Sequence, residues 1–152
     1  MIYCDTSFLL PLYLPDDLWH KKATAYHNRH LQGEAFCFNP WQRWEFRHNL
    51  RQALDDELSA EKLLRRVQED LASGKLRHIG FVWTDIFDRA ERLSSAHARA
   101  IKAGTVDYWH VAFALELTAQ RFMTFDGEQL KLARAAGLDA PNLLRSGPAA
   151  QS

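Results

Sequence analysis

The chain has 152 residues, with 19 Lys or Arg, 19 Asp or Glu and a formal net charge of zero. A hydrophobic content of 47% and a charged content of 25% are ordinary for one globular domain with a sizeable core. This composition excludes a membrane-spanning chain, because no stretch approaches ~20 apolar residues, and it argues against a nucleic-acid binder that relies on bulk basic charge.

Short apolar runs alternate with longer segments of helical periodicity, and turn or cap residues separate them. The elements predicted in chain order are strand 1–4, helix 8–14, helix 18–31, strand 35–38, a helix starting at residue 40, helix 59–73, strand 76–82, helix 84–102, a helix following residue 105, strand 121–125, helix 128–136 and strand 138–143. Such alternation predicts a parallel sheet covered by helices. The expected fold is α/β, a three-layer α/β/α sandwich with four to five parallel strands. We expect one domain over residues 1–145 and a disordered tail at 146–152.

Polar residues at several segment boundaries have the character of helix caps. Asp5, Asp16 and Thr105 are placed to accept hydrogen bonds from the free amides of a first helical turn. Gly33 and Gly104 are placed to end the preceding helices. These five positions therefore set the predicted helix boundaries.

The cysteines and histidines predict neither a disulfide nor a zinc site. Cys4 and Cys37 both lie in short apolar runs, and no secretory signal precedes Asp5, so we expect two buried thiols in a cytoplasmic protein. His27 and His30 are three residues apart on one helix, but no Cys or third His completes a zinc site.

Four acidic residues at the edges of apolar runs are the candidate site: Asp5, Glu45, Asp107 and Asp126. Carboxylates in apolar surroundings are costly unless compensated, and a divalent cation with oxygen ligands compensates several at once. Asp5 and Asp126 directly follow predicted strands, while Glu45 and Asp107 lie near the starts of helices. In open α/β sheets, sites form outside the carboxyl ends of the strands. We therefore expect the four carboxylates to converge there.

Each acid also has a purely structural interpretation. Asp5 fits a helix cap, Asp107 complements a helix dipole, Asp126 starts an Asp-Gly turn, and Glu45 alone is typical of a surface residue. His110, one turn after Asp107, is placed either to orient a carboxylate or to pack in the core. A second set of acids lies in polar stretches typical of solvated helix ends: Asp55, Asp56, Glu57, Glu69 and Asp70.

A local basic rim beside an acidic site remains compatible with zero net charge. Its candidates, each of which also fits a solvated helix face, are Arg43, Arg47, Arg51, Arg65, Arg66, Lys75 and Arg77. Four tryptophans are either base-stacking surfaces or parts of the core and interfaces: Trp19, Trp41, Trp44 and Trp83.

Three segments resemble motifs of the PIN-domain ribonucleases, close to the VapC-type toxins of toxin–antitoxin pairs. Segment 2–10 (IYCDTSFLL) resembles the first motif, 105–115 (TVDYWHVAFAL) the third, and 122–138 the last. The second motif rests mainly on Glu45, whose Trp-rich surroundings are less typical. The resemblance implies that Mg²⁺, or Mn²⁺ in its place, is held by the quartet of Asp5, Glu45, Asp107 and Asp126. It further implies that Thr6, Ser7 and Thr124 position water or substrate.

The resemblance implies an endoribonuclease that leaves a 5′-phosphate and a 3′-hydroxyl on a structured target such as transfer or ribosomal RNA. It also implies a homodimer and a cognate antitoxin. The antitoxin would bind in a hydrophobic groove formed by the Trp-rich second to fourth helices. Three alternatives stay open: a PIN nuclease of RNA processing, a phosphohydrolase on a similar sheet, and a non-catalytic interaction module. A haloacid-type phosphatase would need a second Asp where the chain has Ser7.

Overall fold

The computed structural model describes residues 1–144, which form four strands and seven helices. The strands are β1 (Ile2–Cys4), β2 (Phe36–Cys37), β3 (Leu76–Arg77) and β4 (Arg121–Met123). The helices are α1 (Thr6–Tyr13), α2 (His20–His30), α3 (Pro40–Ala53), α4 (Glu57–Ala72), α5 (Trp83–His97), α6 (Thr105–Glu116) and α7 (Gly127–Ala135). The predicted boundary at residue 145 and the predicted disorder of 146–152 lie outside the described residues.

The four strands form one parallel sheet in the order β3-β2-β1-β4. Cys4 at the end of β1 is in register with Met123 at the end of β4. The ladder continues one step further, because the amide of Asp5 donates to the carbonyl of Met123 at 3.0 Å. The segments that leave β1 and β4 therefore emerge side by side at the carboxyl edge of the sheet.

Helices cover both faces of the sheet, which confirms the predicted three-layer α/β/α fold. Ile2 and Cys4 of β1 point into a core cluster shared with α1 to α4, whereas Tyr3 between them points into a second cluster shared with α5 to α7. This alternation is the period-two pattern of a strand buried on both faces. No helix among residues 1–144 is long and apolar enough to cross a membrane. Cys4 and Cys37 are free and buried, as predicted.

Two predicted strands differ from the structure. Segment 138–143 is irregular: Phe122 donates to the carbonyl of Asp139 at 2.8 Å, but Pro141 has no amide with which to extend the pairing. Strand β3 stops at Arg77 because its partner β2 ends at Cys37, just before α3 begins at Pro40.

Three predicted helix boundaries are also wrong. Helix α2 begins at His20 without a side-chain cap, and it is Asp17, not Asp16, that accepts from a nearby amide. Gly104 does not end α5, which stops at His97. Gly104 instead occupies the cap position of α6 that was predicted for Thr105, because its amide donates to the Asp107 carboxylate in the first turn.

Candidate active site

All four predicted acids line one pocket of about 540 Å³ at the carboxyl edge of the sheet, which we term the acidic pocket. Its walls come from the start of α1, the middle of α3 and the first turns of α6 and α7. The polar side chains among its lining residues are Asp5, Thr6, Ser7, Asp17, Glu45, Asn49, Gln52, Asp107, His110, Asp126 and Gln129. The topology therefore brings together carboxylates that are as many as 121 positions apart in the chain (Asp5 to Asp126).

Asp5 lies at the base of the acidic pocket and is only 5% exposed. It caps α1 by accepting from the amide of Phe8 at 3.1 Å. The Ser7 hydroxyl donates to it at 2.8 Å and the Thr124 hydroxyl at 3.0 Å. Burial raises the pKa of Asp5 to about 6, although the charge of His110 and these hydrogen bonds favour the ionised form. Asp5 is thus both a helix cap and a carboxylate whose ionised form is destabilised by burial.

The hydroxyls of Ser7 and Thr124 also fix the loop after β4. Ser7 accepts from the amide of Phe125 at 2.8 Å, and Thr124 accepts from the amide of Asp126 at 2.9 Å. Thr124 is buried behind Asp5. Both hydroxyls therefore donate to Asp5, and Thr124 also accepts from the backbone of Asp126.

Glu45 and His110 form an ion pair inside the acidic pocket. His110 Nε2 lies 3.0 Å from Glu45 Oε2, and the Thr6 hydroxyl donates to the same oxygen. Burial opposes the charge of both side chains, but their mutual attraction lowers the pKa of Glu45 and raises that of His110. The other ring nitrogen of His110 is hydrogen-bonded to the buried Tyr3 hydroxyl at 2.9 Å. This chain of contacts fixes the direction in which Glu45 points.

Gln129 links the two remaining acids. Its Nε2 donates to Asp107 Oδ1 at 2.9 Å, and its backbone amide donates to Asp126 Oδ1 at 2.8 Å. The other Asp107 oxygen accepts from the Gly104 amide at 2.6 Å. Burial and the charge of Asp126 raise the pKa of Asp107. The first turns of α6 and α7 are thereby held with their acids facing the same space.

The donor chemistry of the acidic pocket suits a hard divalent cation. Four carboxylates supply oxygen ligands, and Gln129 Oε1 is a buried oxygen without a hydrogen-bond partner among the described residues. In the same part of the chain, no three His, Cys, Asp or Glu side chains form a ready-made group for a metal ion. Glu45 differs from the other acids in contacting a histidine, so Asp5, Asp107 and Asp126 are the carboxylates that could hold Mg²⁺ or Mn²⁺ without displacing an imidazole.

Sequence reasoning left two participants out of the site and gave two interpretations of a third. His110 was placed either to orient a carboxylate or to pack in the core, and the structure shows it buried and in contact with Glu45. Gln129 carried a signal, because it stands three positions after the cap residue Asp126, where a side chain reaches back toward the helix start. Tyr3 gave none, because a tyrosine in a buried strand is typical of core.

The second set of acids serves other purposes. Asp56 caps α4, and Asp70 binds the hydroxyl of Tyr13 at 2.7 Å and the ammonium of Lys75 at 3.0 Å. Neither residue lines the acidic pocket. Asp56 therefore lies at a solvated helix end, as predicted, whereas Asp70 is half-buried and is not a solvated acid.

Comparison with protein families and solved structures is consistent with this geometry. Residues 2–135 match the family model described as PIN domain. No curated protein sequence matches the chain significantly.

Three solved structures illustrate the shared fold. VapC20 of Mycobacterium tuberculosis, described as a Sarcin-Ricin loop cleaving toxin, is 19% identical over 91% of this chain and 96% of its own, with a TM-score of 0.60. FitAcB from Neisseria gonorrhoeae is 16% identical over 96% and 100%, with a TM-score of 0.66. VapBC2 from Rickettsia felis, bound to a DNA fragment from their promoter, is 13% identical over 93% and 98%, also with a TM-score of 0.66. Likeness at these identities shows a common fold.

Proposed function

The chain belongs to the PIN-domain family, a family of nucleases, and from this premise we propose that it is a metal-dependent endoribonuclease acting as the toxin of a toxin–antitoxin pair. The observation that carries the proposal is the convergence of Asp5, Glu45, Asp107 and Asp126 on one pocket. A small domain has little reason to gather four carboxylates beside each other, because like charges in a partly buried site repel. A cation and a phosphodiester explain the arrangement.

In the proposed mechanism, Asp5, Asp107 and Asp126 would hold Mg²⁺, with Mn²⁺ as a substitute. A cation there would supply a nucleophilic water at neutral pH and relieve negative charge on the phosphate. Glu45 orients the attacking water, and its own direction is set by His110 and Thr6. Ser7 and Thr124 hold Asp5, while Gln129 holds Asp107. The products are a 5′-phosphate and a 3′-hydroxyl.

The partners in the proposal are a structured RNA, a cognate antitoxin and a second copy of the chain. Support for the protein partners comes from the similar VapBC structures and from large apolar side chains exposed on the surface. Among them are Leu18, Leu58, Val82, Trp83, Phe87 and Val106. Exposed apolar surface of this kind marks protein contact sites.

The proposed activity is tested by incubating the protein with transfer and ribosomal RNA in Mg²⁺, Mn²⁺ or EDTA. We expect cleavage only with the divalent cations, and its loss in Asp5→Asn and Asp107→Asn. Asp88→Asn, which changes an exposed acid of α5 outside the acidic pocket, is the matched control. Cleavage that continues in EDTA or in Asp5→Asn contradicts the proposal.

The toxin assignment is tested separately from the chemistry. A neighbouring gene for a small DNA-binding protein whose product binds this chain and blocks cleavage would support a toxin. Cleavage that no neighbouring gene product inhibits would favour a nuclease of RNA processing.

A further inference from the structure

A groove of about 390 Å³ runs along α3 outside the acidic pocket, and we term it the α3 groove. Its lining residues all belong to α3: Pro40, Arg43, Trp44, Arg47, His48 and Arg51. The three arginines recur every four residues and so form one stripe along the helix. The proposed mechanism uses none of these side chains.

The arginine stripe concentrates positive charge. Partial burial and the neighbouring charges of Arg43 and Arg51 lower the pKa of Arg47. Arg51 forms an ion pair with Glu57, with Nε and Oε1 3.7 Å apart. Both side chains are exposed, and surface ion pairs of this kind contribute little to stability. Like charges at a spacing of four destabilise a helix. A polyanion bound along the stripe would compensate this repulsion between the arginines.

An aromatic pair lies beside the arginine stripe. Trp44 is 58% exposed, and its ring stacks on His48 with centroids 5.8 Å apart and planes 10° from parallel. An exposed indole next to guanidinium groups combines the two features that single-stranded RNA requires, a stacking surface for a base and charges for the backbone. The nearby Arg side chains favour a nucleic acid over an apolar protein segment.

The α3 groove and the acidic pocket lie on two faces of the same helix and share no lining residue. Glu45, Asn49 and Gln52 line the acidic pocket, and each directly follows a residue that lines the α3 groove. With 3.6 residues per turn, the aromatic pair lies between the Glu45 face and the arginine stripe. An RNA strand that reaches both sites would follow the surface of α3, whose diameter with side chains is about 10–12 Å.

We propose that the α3 groove binds the RNA strand adjoining the scissile phosphate, with Arg43, Arg47 and Arg51 on phosphates and Trp44 stacked on a base. This inference rests on the proposed function, because it assumes that the scissile phosphate lies in the acidic pocket. It explains how a chain of zero net charge with an acidic site attracts RNA: the basic surface is local and begins one helix face away.

The test measures RNA affinity apart from cleavage, using the full chain, EDTA and a fluorescently labelled transfer RNA. In the variant carrying Arg43→Gln, Arg47→Gln and Arg51→Gln, we expect binding to weaken at least tenfold at low salt. The slope of log affinity against log salt should fall by about 2, since each phosphate contact contributes about 0.7 on a single strand. Trp44→Ala should weaken binding by about tenfold with the slope unchanged.

The matched control removes three charges elsewhere on the surface, through Arg89→Gln and Arg92→Gln in α5 and Arg99→Gln in the turn that follows it. It should keep the affinity and the salt slope of the wild type. Circular dichroism of all variants checks that they are folded. Unchanged RNA affinity and slope in the folded α3 variant would overturn the proposal, as would a change in oligomeric state without a change in RNA affinity.

Hydrolysis of bis(p-nitrophenyl) phosphate in Mn²⁺ separates this inference from the proposed function. This diester is too small to span both sites, so the α3 variant should hydrolyse it at the wild-type rate while its KM for RNA rises. A wild type that cleaves neither RNA nor the small diester contradicts the proposed function. If the triple arginine variant binds RNA in EDTA as tightly as the wild type does, the result contradicts the proposal for the α3 groove and leaves the proposed function untouched.

Discussion

His110 holds its Nε2 3.0 Å from Oε2 of Glu45, and this carboxylate raises the pKa of the imidazole against the effect of burial. The ring is only 2% exposed, although it lines the acidic pocket. Its contact with the Tyr3 hydroxyl fixes the ring from the other side. His110 thereby orients the one acid of the four that we assign to the attacking water.

Replacement of His110 by alanine should lower kcat for RNA cleavage about 100-fold, because Glu45 loses its orienting contact and small misplacements at a reacting centre are costly. His110→Gln, which keeps a side-chain donor, should recover part of the loss. KM should change little in both variants. Initial rates in Mn²⁺ provide the measurement, with His97→Ala of α5 as the control. Equal rates in His110→Ala and wild type would show that the ion pair is structural only.

The raised pKa of Asp5 makes the stability of the metal-free protein depend on pH. Its pKa is about 6 in the folded protein against an ordinary 3.8, so the folded state binds the proton more tightly than the unfolded state. Stability from this group is therefore complete below pH 4 and is lost as the pH rises through 6. At 1.36 kcal/mol per pKa unit, the ionised residue costs about 3 kcal/mol above pH 6.

The change Asp5→Asn should remove this pH-dependent cost. In EDTA at pH 8, we expect the variant to gain about 1–3 kcal/mol in free energy of unfolding relative to wild type, with a smaller difference at pH 4. Urea denaturation across this pH range provides the measurement. Asp88→Asn should follow the wild-type curve. A variant less stable than wild type at pH 8 would mean that the hydrogen bonds of the ionised Asp5 outweigh its burial.

Divalent cations should stabilise the folded wild-type protein. Binding at 100 times the dissociation constant adds about 2.7 kcal/mol to the free energy of unfolding. The melting temperature should therefore rise with Mn²⁺ or Mg²⁺, and it should not respond in Asp107→Asn or Asp126→Asn. Asp88→Asn should keep the full response. A melting temperature independent of cation in the wild type would contradict a metal site in the acidic pocket.

The fold and the four acids were predictable because they depend on patterns that the sequence carries directly. The alternation of apolar runs with helical segments predicts a parallel sheet, and the carboxyl ends of parallel strands share an edge. Asp5 and Asp126 follow β1 and β4, which are neighbours in the sheet. Their approach is therefore a consequence of topology.

The finer features were not predictable because they depend on partners distant in the chain. The length of β3 is set by where β2 ends, and segment 138–143 pairs with β4 at Asp139, shortly before Pro141, which has no amide to donate. The contact between His110 and Glu45 depends on how α6 and α3 pack on opposite faces of the same sheet edge. A periodicity argument fixes the face of each helix but not the reach of one side chain to another.

Gln129 offers a final test of how the acidic pocket is built. Its side-chain amide donates a hydrogen bond to Asp107, and its backbone amide donates one to Asp126. Gln129→Ala keeps the backbone contact and removes the side-chain donor, so Asp107 loses orientation and its raised pKa should rise further. Residues that orient metal-binding carboxylates typically change metal affinity 10- to 100-fold.

We therefore expect calorimetric titration of Gln129→Ala with Mn²⁺ at pH 7 to show at least tenfold weaker binding. Gln52→Ala removes the same side chain from the α3 wall of the acidic pocket, where no side-chain contact to a carboxylate is seen within residues 1–144, and should bind as wild type does. Equal Mn²⁺ affinity in both variants would remove Gln129 from the site. Weaker binding in Gln129→Ala alone would locate the cation beside Asp107.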